Sequence, residues 1–263
     1  MPEDFEFIQY RKANRIAYVT INRPDVMNAM HPPANAEMDR AWHDFEADDD
    51  TWVAIVTGAG DRAFCAGMDL RWRADPMATG VAMPQSGFGG LTNPRYAKIT
   101  KPIIAAVNGY CLGGGLEMAM ACDLVVAADS AQFGLPEVKR GIVAGGGGPH
   151  RLPRQIPFRV AMGYLLTGRH FSAAEAERWG LINEVVPQAQ VMEAAERWAN
   201  EILDGAPLSV RAMRQMALEG IEMPLEEAYN GSYSALQKLI GSEDSREGPR
   251  AFAEKRKPVW TGR

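Results

Sequence analysis

Short apolar runs rich in β-branched residues constrain the fold of this chain more than any other feature. Four of them have the length of strands, at residues 16–21, 52–57, 103–107 and 124–127. Because they are almost continuously apolar rather than alternating, we expect them in a sheet that is covered on both faces. The helical patterns that lie between them predict an α/β fold.

Helical patterns precede and follow these strands. The first begins near residue 33 and ends at the acidic run 48–50, and its apolar positions have helical spacing: Ala36, Met38, Ala41, Trp42 and Phe45. After Pro187 three more patterns follow, at residues 192–203, 208–219 and 225–240, with Gly or Pro between them. The end of the chain is therefore predicted to be a helical region that begins near residue 190–205.

Residues 72–98 lack periodicity and are rich in Gly and Pro, which predicts a long loop. Long loops in compact domains are often functional, although a tolerated insertion would have the same pattern. No internal repeat is evident in the sequence.

Composition excludes several classes of protein. The net charge of −5 favours neither a nucleic-acid nor an anionic-membrane partner. Three cysteines are too few for a disulfide framework, and the four histidines form no ligand-like cluster, so no metal site is expected. The charged N-terminus does not resemble a signal peptide, and no apolar run approaches the roughly 20 residues of a membrane span. We expect a cytoplasmic protein.

Two glycine motifs are poor candidates for nucleotide binding. Residues 58–63 match G-x-G-x-x-A after a strand, but another glycine, Gly67, stands where the crossover helix should continue. The run Gly145–Gly148 lacks the Lys-Ser/Thr of a phosphate loop, and no G-x-S-x-G elbow is present.

The stretch from Gly113 to Glu137 carries the clearest chemical signal. A glycine triplet opens an apolar helical run, and its free N–H groups would suit a developing negative charge, although close packing alone would also explain the glycines. Glu117 lies in apolar surroundings, where burial should raise its pKa, unless it forms a structural salt bridge. Glu137 is less distinctive by itself, because glutamates in loops are commonly solvated. Asp69 and Asp123 are predicted to have structural roles.

Several motifs together resemble the crotonase, or enoyl-CoA hydratase/isomerase, superfamily. They are the runs at residues 63–70, 101–117 and 131–137, followed by Leu166-Thr167-Gly168 and by residues 179–183. The resemblance covers nearly the whole chain. It implies a crotonase-like spiral of ββα units in residues 1–200 and a C-terminal helical trimerisation region in residues 201–263. It also implies a homotrimer or homohexamer, an acyl-CoA substrate and no cofactor beyond the CoA of that substrate.

The resemblance also implies roles for particular residues. The backbone N–H groups of Met68 and Gly114 would form an oxyanion hole for the thioester carbonyl. Glu117 would activate water for addition at C3, and Glu137 would exchange a proton at C2. Gly145 matches the hydratase glycine near the catalytic water. Contacts with CoA would come from four residues, the last two reaching the CoA of a neighbouring subunit: Ala66, Arg71, Phe252 and Lys255.

These assignments predict an enoyl-CoA hydratase. Carnitinyl-CoA dehydratases offer the closest likeness, in the loop 87–92 and the terminal segment 242–260, but Gly145 replaces the Asp expected there. Leu135 stands where some hydratases have Gln, which leaves the substrate preference open. An enoyl-CoA isomerase is a second alternative, and a non-catalytic binding protein, for example one that contacts RNA, is a remote one.

Overall fold

The computed structural model describes residues 5–74 and 80–263. In this part of the chain the strands are β1 (Ile8–Ala13), β2 (Ile16–Ile21), β3 (Val53–Gly58), β4 (Ala63–Cys65), β5 (Ile103–Val107), β6 (Tyr110–Leu112), β7 (Leu124–Ala128), β8 (Gln132–Gly134), β9 (Phe171–Ser172) and β10 (Glu184–Val186). The helices are α1 (Pro32–Ala47), α2 (Leu70–Ala74), α3 (Gly114–Ala119), α4 (Gly148–Gln155), α5 (Phe158–Thr167), α6 (Ala173–Arg178), α7 (Val191–Leu203), α8 (Pro207–Gly220), α9 (Leu225–Tyr229), α10 (Ser234–Leu239) and α11 (Glu243–Glu254). Short 3₁₀ helices cover Pro24–Val26, Phe88–Gly90, Pro136–Arg140 and Gln188–Gln190.

Two sheets organise the described residues. The larger has the order β1-β2-β3-β5-β7-β10 and is parallel except for the β1–β2 hairpin. The smaller has the order β4-β6-β8-β9, with β4, β6 and β8 parallel and β9 antiparallel. Each of β3, β5 and β7 is followed directly by a strand of the smaller sheet, so the chain passes from the larger to the smaller sheet three times. This arrangement agrees with the α/β spiral that the family resemblance implies.

The structure confirms the four predicted strands, and nearly all of their residues are buried. Residues 103–107 are all buried, as are all but one residue of β2 and of β3. Helix α7 packs against β3, β5 and β7 from one side. Such double coverage explains why these strands are continuously apolar instead of alternating.

Helix α1 matches its prediction closely. His31 is its N-cap and accepts a hydrogen bond from the Ala34 N–H, while prolines at the first positions need no partner for a missing N–H. Its apolar face, with Met38, Trp42 and Phe45, is fully buried in the core. The helix ends at Ala47, before the acidic run.

The structure differs from the sequence-based expectations at several places. The single pattern at 225–240 forms two helices, α9 and α10, because Asn230 ends α9 and Gly231 follows it. The loop predicted at 72–98 begins inside α2 and contains the 3₁₀ turn Phe88–Gly90, and its residues 75–79 lie outside the described residues. Neither β1 nor α11 was expected, since both are rich in charged residues.

The two aspartates with predicted structural roles form ion pairs. Asp69 pairs with Arg23, and Asp123 pairs with Arg214 of α8 while also accepting the Ile103 N–H. Asp123 therefore connects the C-terminal helices to the start of β5. No helix in the described ranges is both long enough and apolar enough to span a membrane.

Candidate active site

The glycine triplet forms the corner between β6 and α3. Gly113 has a φ of +55° and caps α3, and its N–H donates to the Gly134 carbonyl at 2.8 Å. A Cβ on Gly115 would lie 2.2 Å from the Cys65 carbonyl oxygen, so close packing excludes any side chain there. Gly114 begins α3, and its N–H has no acceptor among the described residues. The glycine triplet therefore has two roles. Gly115 allows close packing, and the Gly114 N–H remains available as a hydrogen-bond donor.

Met68 lies on a second loop that meets this corner. Gly67, with a φ of +96°, lies so close that a Cβ on it would be 2.9 Å from the Leu112 carbonyl oxygen and 3.2 Å from the Gly114 nitrogen. The Met68 N–H, like that of Gly114, has no acceptor in the described part of the chain. Two free N–H groups from separate loops therefore lie at one corner, an arrangement suited to binding an oxyanion.

Glu117 lies one helical turn into α3 and is only 3 % exposed. Its Oε1 accepts the Gly148 N–H at 2.7 Å. Burial raises the pKa of this carboxyl group, while the backbone N–H groups of Gly148 and Gly146 and the charge of Arg151 oppose the shift. In the described structure Arg151 donates to the carbonyl oxygens of Gly146 and Thr92 instead of forming a salt bridge with Glu117. A raised pKa suits proton transfer near neutral pH.

Glu137 reaches the same corner from the 3₁₀ helix Pro136–Arg140. A Cβ on Gly113 would lie 2.7 Å from its Oε1. Burial raises the pKa of Glu137, and the negative charge of Glu117 raises it further, against the effect of Arg140 and of its own N–H. Its Oε2 is buried and has no hydrogen-bond partner among the described residues. A buried carboxyl oxygen without a partner is costly, which is typical of a group that acts on a ligand.

These groups face one cleft with a volume of about 2010 Å³. The predicted site residues that line it are Met68, Gly114, Glu117, Glu137 and Gly145. Apolar side chains supply much of the remaining wall near the corner, namely Met83, Phe88, Leu91, Met120 and Ile142. The cleft can therefore hold an apolar chain beside two proton-exchanging carboxyl groups.

Gly145 and Leu135 differ in their relation to the cleft. A Cβ on Gly145 would meet nothing within 4 Å, so this position opens onto the cleft. Leu135 is buried behind Gly148, where a Cβ would lie 2.9 Å from its Cδ1, and it does not line the cleft. In this chain Leu135 is a core residue.

The four residues expected to contact CoA lie outside the described wall of the cleft. Ala66 is fixed by a hydrogen bond from its N–H to the Met27 carbonyl, and Arg71 is exposed on α2. Phe252 is 88 % exposed on α11, and Lys255, also exposed, ends that helix. Their contacts with CoA stay predictions, and for Phe252 and Lys255 the predicted ligand belongs to a neighbouring subunit.

Sequence reasoning missed Phe88 and the loop that orients Glu117. The Phe88 ring covers the start of α3, because a Cβ on Gly114 would lie 2.7 Å from it. Glycines with positive φ on both sides, Gly87 and Gly89, form the turn that places it there. The G-F-G pattern was the available signal. No sequence signal could have predicted the hydrogen bond between Gly148 and Glu117, because 31 residues separate them.

Comparison with known proteins gives consistent results over nearly the full chain. Residues 11–263 match the family model described as enoyl-CoA hydratase/isomerase. A carnitinyl-CoA dehydratase from Escherichia coli is 42 % identical over 262 residues, covering 98 % of this chain and 99 % of the relative. An (E)-benzylidenesuccinyl-CoA hydratase from Thauera aromatica is 44 % identical over 250 residues, covering 95 % and 97 %.

Solved structures agree with these relatives. A probable enoyl-CoA hydratase/isomerase from Mycobacterium abscessus superposes with a TM-score of 0.89 at 43 % identity, covering 98 % of this chain and 99 % of that one. An enoyl-CoA hydratase from Mycobacterium marinum has a TM-score of 0.90 at 40 % identity, with the same coverage.

Proposed function

Because the chain belongs to the enoyl-CoA hydratase/isomerase family, we propose that it reversibly hydrates a 2-enoyl-CoA thioester to a 3-hydroxyacyl-CoA. The observation that carries this proposal is the corner where the buried Glu117 and the partly buried Glu137, both with raised pKa, face two backbone N–H groups that have no acceptor among the described residues. Acid, base and oxyanion donors are the parts that addition of water to a conjugated thioester requires.

In the proposed mechanism the thioester carbonyl oxygen accepts hydrogen bonds from Met68 and Gly114. Ionised Glu117 removes a proton from water as its oxygen bonds to C3, and the electron pair of the double bond moves toward the carbonyl, giving an enolate. Protonated Glu137 then delivers its proton to C2. The reverse sequence dehydrates a 3-hydroxyacyl-CoA, and proton exchange with solvent restores both glutamates.

The raised pKa of Glu137 supports its role as the acid, because a protonated carboxyl group is needed at neutral pH. The two backbone bonds oppose the pKa rise of Glu117 and support its role as the base. Open space at Gly145 supports access of water to this part of the cleft.

Dehydration of carnitinyl-CoA is the second candidate, favoured by the 42 % identity to carnitinyl-CoA dehydratases. A trimethylammonium group is commonly bound by carboxylates or aromatic rings. Among the described cleft residues Phe88 is the one Phe, Tyr or Trp side chain. The carboxylates other than the catalytic pair have partners, with Asp123 bound to Arg214, Glu222 to Arg154 and Glu219 to Gln215. This lining therefore offers no obvious site for a cationic acyl group among the described residues.

The test is side-by-side turnover of crotonyl-CoA, crotonobetainyl-CoA and a 3-enoyl-CoA. We expect crotonyl-CoA to be hydrated fastest. Glu117→Gln and Glu137→Gln should each lower kcat by at least about 10², with CoA-thioester binding nearly unchanged. Glu193→Gln is the matched control, because Glu193 is exposed on α7 and does not line the cleft, so kcat should stay within about 2-fold.

The outcomes separate the candidates. Preference for crotonobetainyl-CoA would establish the dehydratase, and preference for the 3-enoyl-CoA would establish the isomerase. Near-normal turnover in both glutamine variants would refute the catalytic assignment. Salt-dependent RNA binding without any thioester turnover would favour the non-catalytic alternative.

A further inference from the structure

The connection from β2 to α1 contains two adjacent residues in the left-handed conformation. Met27 has a φ of +57° and Asn28 a φ of +55°. This conformation is unfavourable for residues other than glycine, and for Met more than for Asn. Two such residues in succession persist only where surrounding contacts hold them, and such strain is concentrated at functional sites. The contacts of Asn28 show what holds this turn.

Asn28 is a buried hydrogen-bonding centre, 1 % exposed. Its side-chain amide donates to the carbonyl oxygens of Ala59 at 3.0 Å and Ala63 at 2.7 Å. Its Oδ1 accepts the Arg23 N–H at 3.0 Å, and its own N–H donates to the Arg23 carbonyl at 2.9 Å. Asn28 therefore joins the β2–α1 connection to the β3–β4 turn that leads into Met68.

The reversal at Met27 and Asn28 lays the backbone of residues 27–30 beside residues 66–69. The Ala66 N–H donates to the Met27 carbonyl at 3.0 Å. The Met30 N–H donates to the Gly67 carbonyl at 2.9 Å, and the Asp69 N–H returns to the Met30 carbonyl at 3.0 Å. These bonds hold both neighbours of Met68 and leave the Met68 N–H itself without an acceptor among the described residues.

The Arg23 side chain adds a further link between these two backbone segments. Its guanidinium donates to the Ala29 carbonyl and to the Asp69 carboxylate, and it is largely buried together with that carboxylate. The segment from Arg23 to Met30 is thus bonded to the chain before, beside and after Met68.

We infer that Asn28 is a positioning residue that fixes the Met68 N–H for the thioester oxygen, an inference that rests on the proposed function. An oxyanion donor is effective only when it is fixed about 2.7–3.1 Å from the charged oxygen. A displacement of about 1 Å in such a site can cost about 10² in rate. Asn28 touches no substrate and acts through the backbone bonds that hold Gly67 and Asp69.

The test uses two substitutions. Asn28→Gly removes the side-chain hydrogen bonds but tolerates the left-handed backbone. Asn28→Ala removes the same hydrogen bonds and is also strained in the left-handed conformation. We expect kcat for crotonyl-CoA to fall about 10-fold or more in Asn28→Gly and further in Asn28→Ala, with KM within about 3-fold. Infrared difference spectra of bound, isotope-labelled butyryl-CoA should show a smaller downward shift of the carbonyl stretch than in the wild type. Loss of fold stability alone would not change that shift.

Asn108→Ala is the matched control. The Asn108 amide donates to the carbonyl oxygens of Gly58 and Gly60 in the same β3–β4 turn, at 2.8 and 2.7 Å, but in the described structure it has no hydrogen bond to residues 23–30. It should keep the carbonyl shift. Equal loss of the shift in this control, or a wild-type kcat and shift in Asn28→Gly, would overturn the inference.

Should the Asn28 variants fail to fold, the same two measurements on Arg23→Lys provide the test, because Lys lacks the planar pair of nitrogens with which Arg23 bonds Ala29 and Asp69 separately. An unchanged shift and kcat in Arg23→Lys would then overturn the inference. A wild-type protein that neither shifts the carbonyl band nor turns over any enoyl-CoA would refute the proposed function itself.

Discussion

At the scale of single residues, Glu117 affects both the proposed catalysis and the stability of the fold. Its pKa is raised above 4.5 by burial, so the folded state favours the protonated form. The stability that comes from a raised carboxyl pKa is fully present below pH 4.5 and is lost as the pH rises through the pKa of the folded state. At neutral pH an ionised Glu117 therefore destabilises the fold.

Glu117→Gln should separate these two effects. The amide oxygen can still accept the Gly148 N–H, but no charge is buried. We expect a melting temperature at least equal to that of the wild type at pH 8, and an advantage over the wild type that is larger at pH 8 than at pH 5. Activity should meanwhile fall by at least about 10². Thermal melts across this range test the expectation, and an advantage that shrinks as the pH rises would contradict it.

The neighbouring glycines 145 and 146 should respond differently to the same substitution. A Cβ on Gly145 meets nothing within 4 Å, whereas one on Gly146 would lie 2.6 Å from Oε2 of Glu117. Gly145→Ala narrows the open space for water without touching the carboxylate and should lower kcat less than Gly146→Ala, which should lower it more than about 10-fold because it displaces the carboxylate. Steady-state kinetics of the two variants compare them directly, and similar values for both would show that Glu117 tolerates displacement.

At the scale of elements, the segment Gly87–Thr92 is a fixed wall of the cleft. Trp42 of α1 donates its indole N–H to the Gly89 carbonyl at 2.7 Å, and Asn35 accepts the Gly89 N–H at 2.7 Å. Thr92 accepts the Phe88 N–H at 2.8 Å. The buried face of α1 thereby holds the Phe88 ring over the start of α3.

Trp42→Phe should loosen this wall by leaving the buried Gly89 carbonyl without its indole donor. We expect a stability loss of about 1–3 kcal/mol and a change of at least about 3-fold in the kcat/KM ratio between crotonyl-CoA and a bulkier aryl-substituted enoyl-CoA. Trp52→Phe is the control, because its indole also donates to a carbonyl, that of Asp49, but far along the chain from the wall. A ratio that changes equally in both variants would argue against a specific effect of the wall.

Elements were predictable where the pattern of their own residues decided them. Strands β2 and β5 have the predicted bounds because β-branched apolar runs signal burial on both faces. The edge strand β1 was missed because Arg11 and Lys12 interrupt its apolar pattern. Helix α11 was missed because it is mostly polar and contains Pro249. Contacts with other elements stabilise β1 and α11, and these contacts cannot be read from the hydrophobic pattern of the two segments themselves.

At the scale of the whole molecule, the C-terminal helices leave large apolar side chains exposed. Ile221, directly after α8, is 80 % exposed, and Leu225 and Tyr229, at the two ends of α9, are 84 % and 85 % exposed. Neighbouring exposed apolar side chains of this size mark an interaction surface more often than an isolated one does. The surface lies within the region 201–263, for which the family resemblance predicts trimer formation.

We predict a particle of three or six chains of 28.8 kDa in solution. The double substitution Leu225→Glu and Tyr229→Glu should dissociate it, because charges would have to be buried, and Glu226→Lys on the same helix should not. If Phe252 and Lys255 reach the CoA of a neighbour, dissociation should also raise KM. Light scattering with parallel kinetics measures both. A wild-type monomer with full activity would contradict the prediction.

By itself the amino-acid sequence determined the α/β class, the helical end of the chain and the candidate pair of glutamates, because hydrophobic spacing and short motifs are properties of neighbouring residues. Only the tertiary structure decided that Gly148 bonds Glu117, that Glu137 lies against Gly113, that Leu135 is a core residue and that Phe88 covers Gly114. Burial, charge interactions and the position of a donor all depend on groups that lie far apart in the chain, so they exist only once the two sheets and their helices have packed together.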